Sequence, residues 1–136
     1  MLECLVLGDS IAQGISTYLP ECQKQTKVGI SSPAFNKWYI KKSSNKYIVS
    51  LGSNDFGVNT YNELLKLRKT LDNKVVWIVP NKNQREAVFK ICNKFKDTYI
   101  DISKTTMSKD KVHPTQNGYK EIAQLAKKAQ HLKENK

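Results

Sequence analysis

Three short apolar runs, each stopped by small or polar residues, constrain this chain more than any other feature. Leu2-Glu3-Cys4-Leu5-Val6-Leu7 stops at Gly8-Asp9-Ser10, Lys46-Tyr47-Ile48-Val49-Ser50-Leu51 at Gly52-Ser53-Asn54-Asp55, and Lys74-Val75-Val76-Trp77-Ile78-Val79 at Pro80-Asn81. Runs of this length with few polar interruptions suit strands buried on both faces. Thr26-Lys27-Val28, stopped by Gly29, and Thr98-Tyr99-Ile100-Asp101-Ile102 read as weaker strands. Helical periodicity fills the intervals. Tyr61 to Leu71 carries Leu64, Leu65, Leu67 and Leu71 on one stripe, and Gln84 to Phe95 carries Ala87, Val88, Ile91, Cys92 and Phe95. Gln116 to Leu132 carries Tyr119, Ile122, Ala123, Ala126, Ala129 and Leu132. Apolar residues three and four apart make one helical face that must be covered.

Strands alternating with helices predict an α/β fold with a mostly parallel sheet covered on both faces. At 136 residues the chain has room for a single domain spanning 1–136. Functional loops of such sheets gather beyond the carboxyl ends of the strands, the edge that holds residues 8–14, 29–32, 52–56 and 80–83. Trp77 and Tyr47 read as core, whereas Trp38-Tyr39, on a short helix, serves either packing or a binding surface.

Charge and cysteine content narrow the function classes. The formal net charge is +11, with six basic and four acidic side chains in residues 1–60 against 17 and eight in 61–136. Only two of the basic residues, Arg68 and Arg85, are arginine. Base readout and bidentate phosphate clamps lean on arginine, so nucleic-acid binding is not expected as the main function. Cys4, Cys22 and Cys92 are odd in number and form no CxxC pair, so neither a disulfide framework nor a structural zinc site is expected. The opening residues have no basic segment and too short an apolar run for a signal peptide or membrane span. That gives a cytoplasmic expectation, with carriage in a virion or release by host lysis left open. Oligomeric state is not legible.

Chemistry concentrates where strands end. Ser10 follows the first strand directly and could attack an acyl carbon, although Gly-Asp-Ser is also an ordinary turn and helix cap. A serine hydroxyl needs a base to accept its proton, and histidine is the side chain suited to this near neutrality. His113 is that candidate. Asp110, three residues earlier, can reach its other ring nitrogen and fix the tautomer; a turn cap and an exposed loop histidine are the alternative reading. Acyl transfer also develops negative charge on oxygen, which calls for donors. Asn54 offers a side-chain amide, and Gly29 an unobstructed backbone amide or a simple turn. Asp55 reads as an anchor of its loop.

Taken together these blocks resemble the SGNH, or GDSL-like, hydrolase family: Gly8-Asp9-Ser10-Ile11-Ala12-Gln13-Gly14 its first block, Gly29 its second, Gly52-Ser53-Asn54-Asp55 its third and Asp110-Lys111-Val112-His113-Pro114 its last. Where the family often has a further glycine, this chain has Ser32. The resemblance implies a three-layer α/β/α, flavodoxin-like sheet of about five strands. It also implies Ser10 as nucleophile, His113 as base and then acid, Asp110 as its partner, and an oxyanion hole of the Ser10 and Gly29 amides with the Asn54 side chain. The route would be a two-step acyl-enzyme, with no metal or organic cofactor.

The family spans esterases, lipases, thioesterases and carbohydrate deacetylases, so fold alone does not choose a substrate. About 22 residues separate Ser53 from Val75, too few for a large lid or acyl tunnel. This favours a small acyl ester, above all an acetyl group on a carbohydrate. A thioesterase or lysophospholipase, or an inactive polyanion-binding module on the same scaffold, are the alternatives. Phe56, Val58 and Asn81 are candidates for the substrate entrance, with Phe56 and Val58 equally readable as core. The lysines of the second half, such as Lys90, Lys94 and Lys96, either steer an acidic polysaccharide or peptidoglycan to the site or keep the protein soluble.

Overall fold

The computed structural model describes residues 1–134, with side chains through residue 129. Five strands form one sheet: β1 (Leu5–Gly8), β2 (Gln23–Thr26), β3 (Lys46–Ser50), β4 (Lys74–Val79) and β5 (Thr98–Asp101). Helices α1 (Ser10–Thr17), α2 (Ser32–Trp38), α3 (Thr60–Thr70) and α4 (Arg85–Phe95) connect them, and α5 (Gln116–Glu134) follows β5 through a 3-10 turn at Ile102–Lys104. Every pairing is parallel, in the order β2-β1-β3-β4-β5. Strand order reverses between β1 and β3, so the loops leaving those strands diverge and leave a crevice at their carboxyl ends.

Alternation along each strand divides the core in two. Leu5, Leu7, Tyr47, Val49, Val75 and Trp77 face the layer of α2, α3 and α4, where Phe35, Leu64, Leu67, Val88 and Ile91 meet them. Val6, Ile48, Val76, Ile78 and Ile100 face α1 and α5, against Ile11, Ile15, Ile122 and Ala126. Burying each such aliphatic side chain contributes about 1.5–3 kcal/mol before chain entropy is set against it. The Leu132 side chain lies outside the described residues.

Three expectations need correction. The second strand lies at Gln23–Thr26 rather than at Thr26–Val28, and Val28 is 67% exposed. An edge strand can be polar, so hydropathy misplaced it. Phe56 and Val58 are 78% and 41% exposed, which removes the core reading for both. Finally, Cys4 and Cys22 are joined by a disulfide with Cα atoms 4.8 Å apart. Parallel register explains this bond: Leu5 pairs with Gln23, so the residues just before them are neighbours. The odd count arises because Cys92 is buried in the opposite layer.

Candidate active site

Gly8 makes the first turn possible. Its φ is +137°, and a Cβ there would lie 1.9 Å from the Ser50 carbonyl oxygen. The tight approach lets Asp9 N–H donate to that same oxygen at 3.0 Å. Asp9 then caps α1, its Oδ1 accepting from Ile11 N and Ala12 N at 3.0 and 3.4 Å. Ser50 Oγ donates to Asp9 Oδ1 and Ser53 Oγ to Oδ2, both at 3.0 Å. Burial pushes the Asp9 carboxyl above its usual range, and these donors oppose the shift. One buried carboxylate thus ties the ends of β1 and β3 together and fixes Ser10 as the first residue of α1.

Ser10 Oγ lies 2.8 Å from His113 Nε2, across 103 positions of sequence. His113 Nδ1 lies 2.8 Å from Asp110 Oδ2. Asp110 Oδ1 accepts from the Val112 and His113 amides at 2.8 and 2.9 Å and from Ser108 Oγ at 2.8 Å. The His113 ring, followed by these amides and the hydroxyl, holds the Asp110 carboxyl far below the usual carboxylate range. With Nδ1–H donated to Asp110, Nε2 is left to accept a proton from Ser10. The His113 and Asp110 side chains are 42% and 52% exposed, so the pair faces solvent directly.

The loop carrying His113 is braced. Ser108 N–H donates to the His113 carbonyl at 2.9 Å and Lys111 N–H to the Ser108 carbonyl at 3.1 Å. Lys111 has a left-handed φ of 60°, and Asn81 Nδ2 donates to its carbonyl at 2.7 Å. Asn81, expected at the substrate entrance, therefore holds this turn.

Asn54 and Gly29 belong to adjoining loops. Asn54 Nδ2 donates to the Ile30 carbonyl at 3.1 Å, which uses one of its two amide protons. Gly29 is exposed with φ +79°, and a Cβ there would meet nothing. Neither the Ser10 nor the Gly29 N–H has a hydrogen-bond partner among the described residues. Asp55 is fully buried and anchors its loop as expected: it accepts from Ser32 N at 2.8 Å, from Ser32 Oγ, and from Thr60 Oγ1 at 2.7 Å. Ser32 thus has a definite role in this chain. Asn83, not singled out from sequence, donates to the Gly52 and Asp55 carbonyls at 3.3 and 2.7 Å. Asp9, Ser50 and Ser53 were also missed as a network, although their strand-end positions were the available signal.

Val58 lines a cavity of about 540 Å³ with Gly57, Tyr61, Gln84 and Lys90. None of Ser10, Asn54 or His113 lines it. Among the described residues no group of three or more His, Cys, Asp or Glu side chains is placed to hold a metal ion, and no helix is long and apolar enough to cross a membrane.

Neither a family model nor a curated protein matches the sequence. Solved structures do. A Bacteroides fragilis protein assigned as an acylhydrolase superposes with a TM-score of 0.72 at 18% identity, over 94% of this chain and 86% of that one. A carbohydrate acetylesterase of Sinorhizobium meliloti gives 0.67 at 12% identity, over 97% and 100%. This is the SGNH-hydrolase fold. A third SGNH-like neighbour is the catalytic domain of peptidoglycan O-acetyltransferase A from Streptococcus pneumoniae, with a TM-score of 0.62 at 16% identity over 95% and 94%. In all three the likeness of fold extends over more than nine-tenths of this chain.

Proposed function

We propose that residues 1–136 act as one catalytic unit, a serine hydrolase of small acyl esters whose preferred substrate is an O-acetyl group on a carbohydrate. The observation that carries this reading is the hydrogen-bonded chain from Ser10 through His113 to Asp110. Ser10 Oγ attacks the acyl carbon as its proton passes to His113 Nε2, and Asp110 stabilises the imidazolium. The Ser10 and Gly29 amides and the remaining Asn54 amide proton stabilise the oxyanion. His113 then protonates the departing alcohol, and afterwards takes a proton from the water that releases the acid. Phe56 and Val58, in the loop that follows Asn54, supply exposed apolar surface for the acyl or sugar moiety. The solvent-facing site suits a short acyl group on a large polymer better than a long chain needing enclosure. Two of the fold's neighbours are a carbohydrate acetylesterase and a peptidoglycan O-acetyltransferase, which supports the substrate class.

A fluorophosphonate probe should label the protein at Ser10, and Ser10→Ala should abolish both labelling and esterase turnover while the circular dichroism spectrum is kept. A folded S10A with undiminished turnover would reject Ser10 as nucleophile. Turnover of acetyl sugars, acyl thioesters and lysophospholipids in parallel separates the preferred reading from the other esterase classes.

A further inference from the structure

The loops at the carboxyl edge carry Lys27 after β2, Lys82 after β4, and Lys104, Lys109 and Lys111 between β5 and α5. All five are exposed. None has a carboxylate within ion-pair distance among the described residues. The carboxylates of this edge have other partners: Asp9 and Asp55 are buried in hydrogen-bond networks, Asp101 pairs with Arg85, Asp110 with His113, Glu63 of α3 with Lys66, and the exposed Glu121 of α5 accepts from Thr106 Oγ1 at 2.8 Å. Glu86, in the first turn of α4, is the exposed acid nearest in sequence to Lys82. The opposite edge mixes its signs, with Glu3, Glu21 and Asp72 beside Lys41, Lys42 and Lys96.

Sheet order gives this charge a direction. Lys27 leaves β2 on one side of β1, while Lys82 and the Lys109–Lys111 turn leave β4 and β5 on the other. Positive charge therefore brackets Ser10 at the end of β1. Lys94 and Lys96, at the far end of α4, do not belong to this bracket.

Lys111 is the lysine of this set nearest in sequence to the reacting histidine. Its backbone is left-handed, as are those of Gln84 and Lys96, a conformation in which a Cβ is disfavoured and glycine or asparagine is at ease, and its turn is held by Asn81. It stands two residues from His113, within about 7 Å of chain. Its exposed side chain thus springs from a braced turn two residues from His113.

We propose that the substrate taken at this edge is an acyl-ester glycan that itself bears negative charges, and that Lys111, with Lys27, Lys82 and Lys109, sets that preference. The acyl-ester part rests on the serine-hydrolase reading above; the anionic-glycan part rests on the lysines alone. Repeated carboxylates or phosphates along the polymer share the required chemistry. Nucleic acid shares the charge but has no O-acyl ester for Ser10. Cations lining a cleft raise the encounter rate with such a polymer, and salt reduces the gain.

Three variants test this: Lys111→Asn, which removes the charge and tolerates the backbone; Lys82→Gln/Lys109→Gln/Lys111→Asn; and the control Lys94→Gln/Lys96→Gln. The polymers are O-acetylated polygalacturonate, an O-acetylated polyribitol phosphate and O-acetylated neutral xylan. At low salt the wild type should favour the anionic polymers over xylan in kcat/KM by about tenfold or more, with a steep decline as salt rises. K111N should cut that preference several-fold, the triple variant, which keeps Lys27, should remove most of it and flatten its salt dependence, and the control should keep it. The better of the two anionic polymers assigns the charge as carboxylate or phosphate. Binding of the unacetylated polymers to S10A, with and without the triple change, reads the same preference without catalysis. Failure of fluorophosphonate labelling with binding preference intact would reject the hydrolase reading alone. Equal binding of anionic and neutral polymers at low salt, a triple variant that behaves as wild type, an equal loss in the control, or tighter binding of single-stranded DNA than of either anionic glycan would each overturn the proposal.

Discussion

At the scale of single residues, Asn54 and Asp110 make the sharpest claims. Asn54 already spends one amide proton on the Ile30 carbonyl, which orients the other. Asn54→Ala should lower the acylation rate by about 10²–10³, measured by stopped-flow release of the leaving group; a loss below tenfold would assign the side chain to loop structure. Asp110→Asn should slow turnover by disturbing the tautomer of His113, while leaving fluorescence-monitored unfolding nearly unchanged because the side chain is half exposed. The meeting of Ser10, His113 and Asp110 was legible in the sequence because acyl transfer restricts the residue types and the strand ends restrict their places. The bracing bonds of Asn81 and Asn83 were not, since an asparagine bonded to a carbonyl of a distant loop has no local pattern.

At the scale of elements, the ion pair between Arg85 and Asp101 links the start of α4 to the end of β5. Two hydrogen bonds from Arg85 hold the Asp101 carboxyl down at about 2. A carboxylate depressed in the folded state contributes stability in full above its unfolded value of about 3.9, and loses it as pH falls toward the folded value. The Tm difference between wild type and Asp101→Asn should therefore be constant above pH about 5 and shrink between about 4 and 2; a difference independent of pH would show that the pair does not contribute. The Cys4–Cys22 bond closes a loop with a separation of 18. Its removal in Cys4→Ser/Cys22→Ser should cost about 3 kcal/mol in urea unfolding, while turnover at room temperature persists, because the bond lies at the edge opposite Ser10. The strands rich in aliphatic residues were readable from hydropathy. β2 and the disulfide depend on register, which becomes definite only when β2 is laid beside β1.

At the scale of the whole molecule, that disulfide bears on where the protein works. Disulfides persist in oxidising surroundings and are rare in a reducing cytoplasm, which sits against the cytoplasmic expectation. Intact-mass analysis before and after thiol alkylation should find one alkylated cysteine under oxidising, denaturing conditions and three after reduction; three in both would remove the bond. Parallel α/β order was visible from the alternation of strands and helices, whereas the gathering of exposed lysines at one edge needed the three-dimensional placement of loops. The 103 positions between Ser10 and His113 carry a last consequence. Among the described helices α1 is made first, and it holds a serine whose partner has yet to be synthesised. Until the segment before α5 docks against α1, the nascent chain has a hydroxyl with no base. Reactivity is thus withheld from every partly made copy, and labelling of Ser10 becomes a report that α1 and the segment before α5 have met.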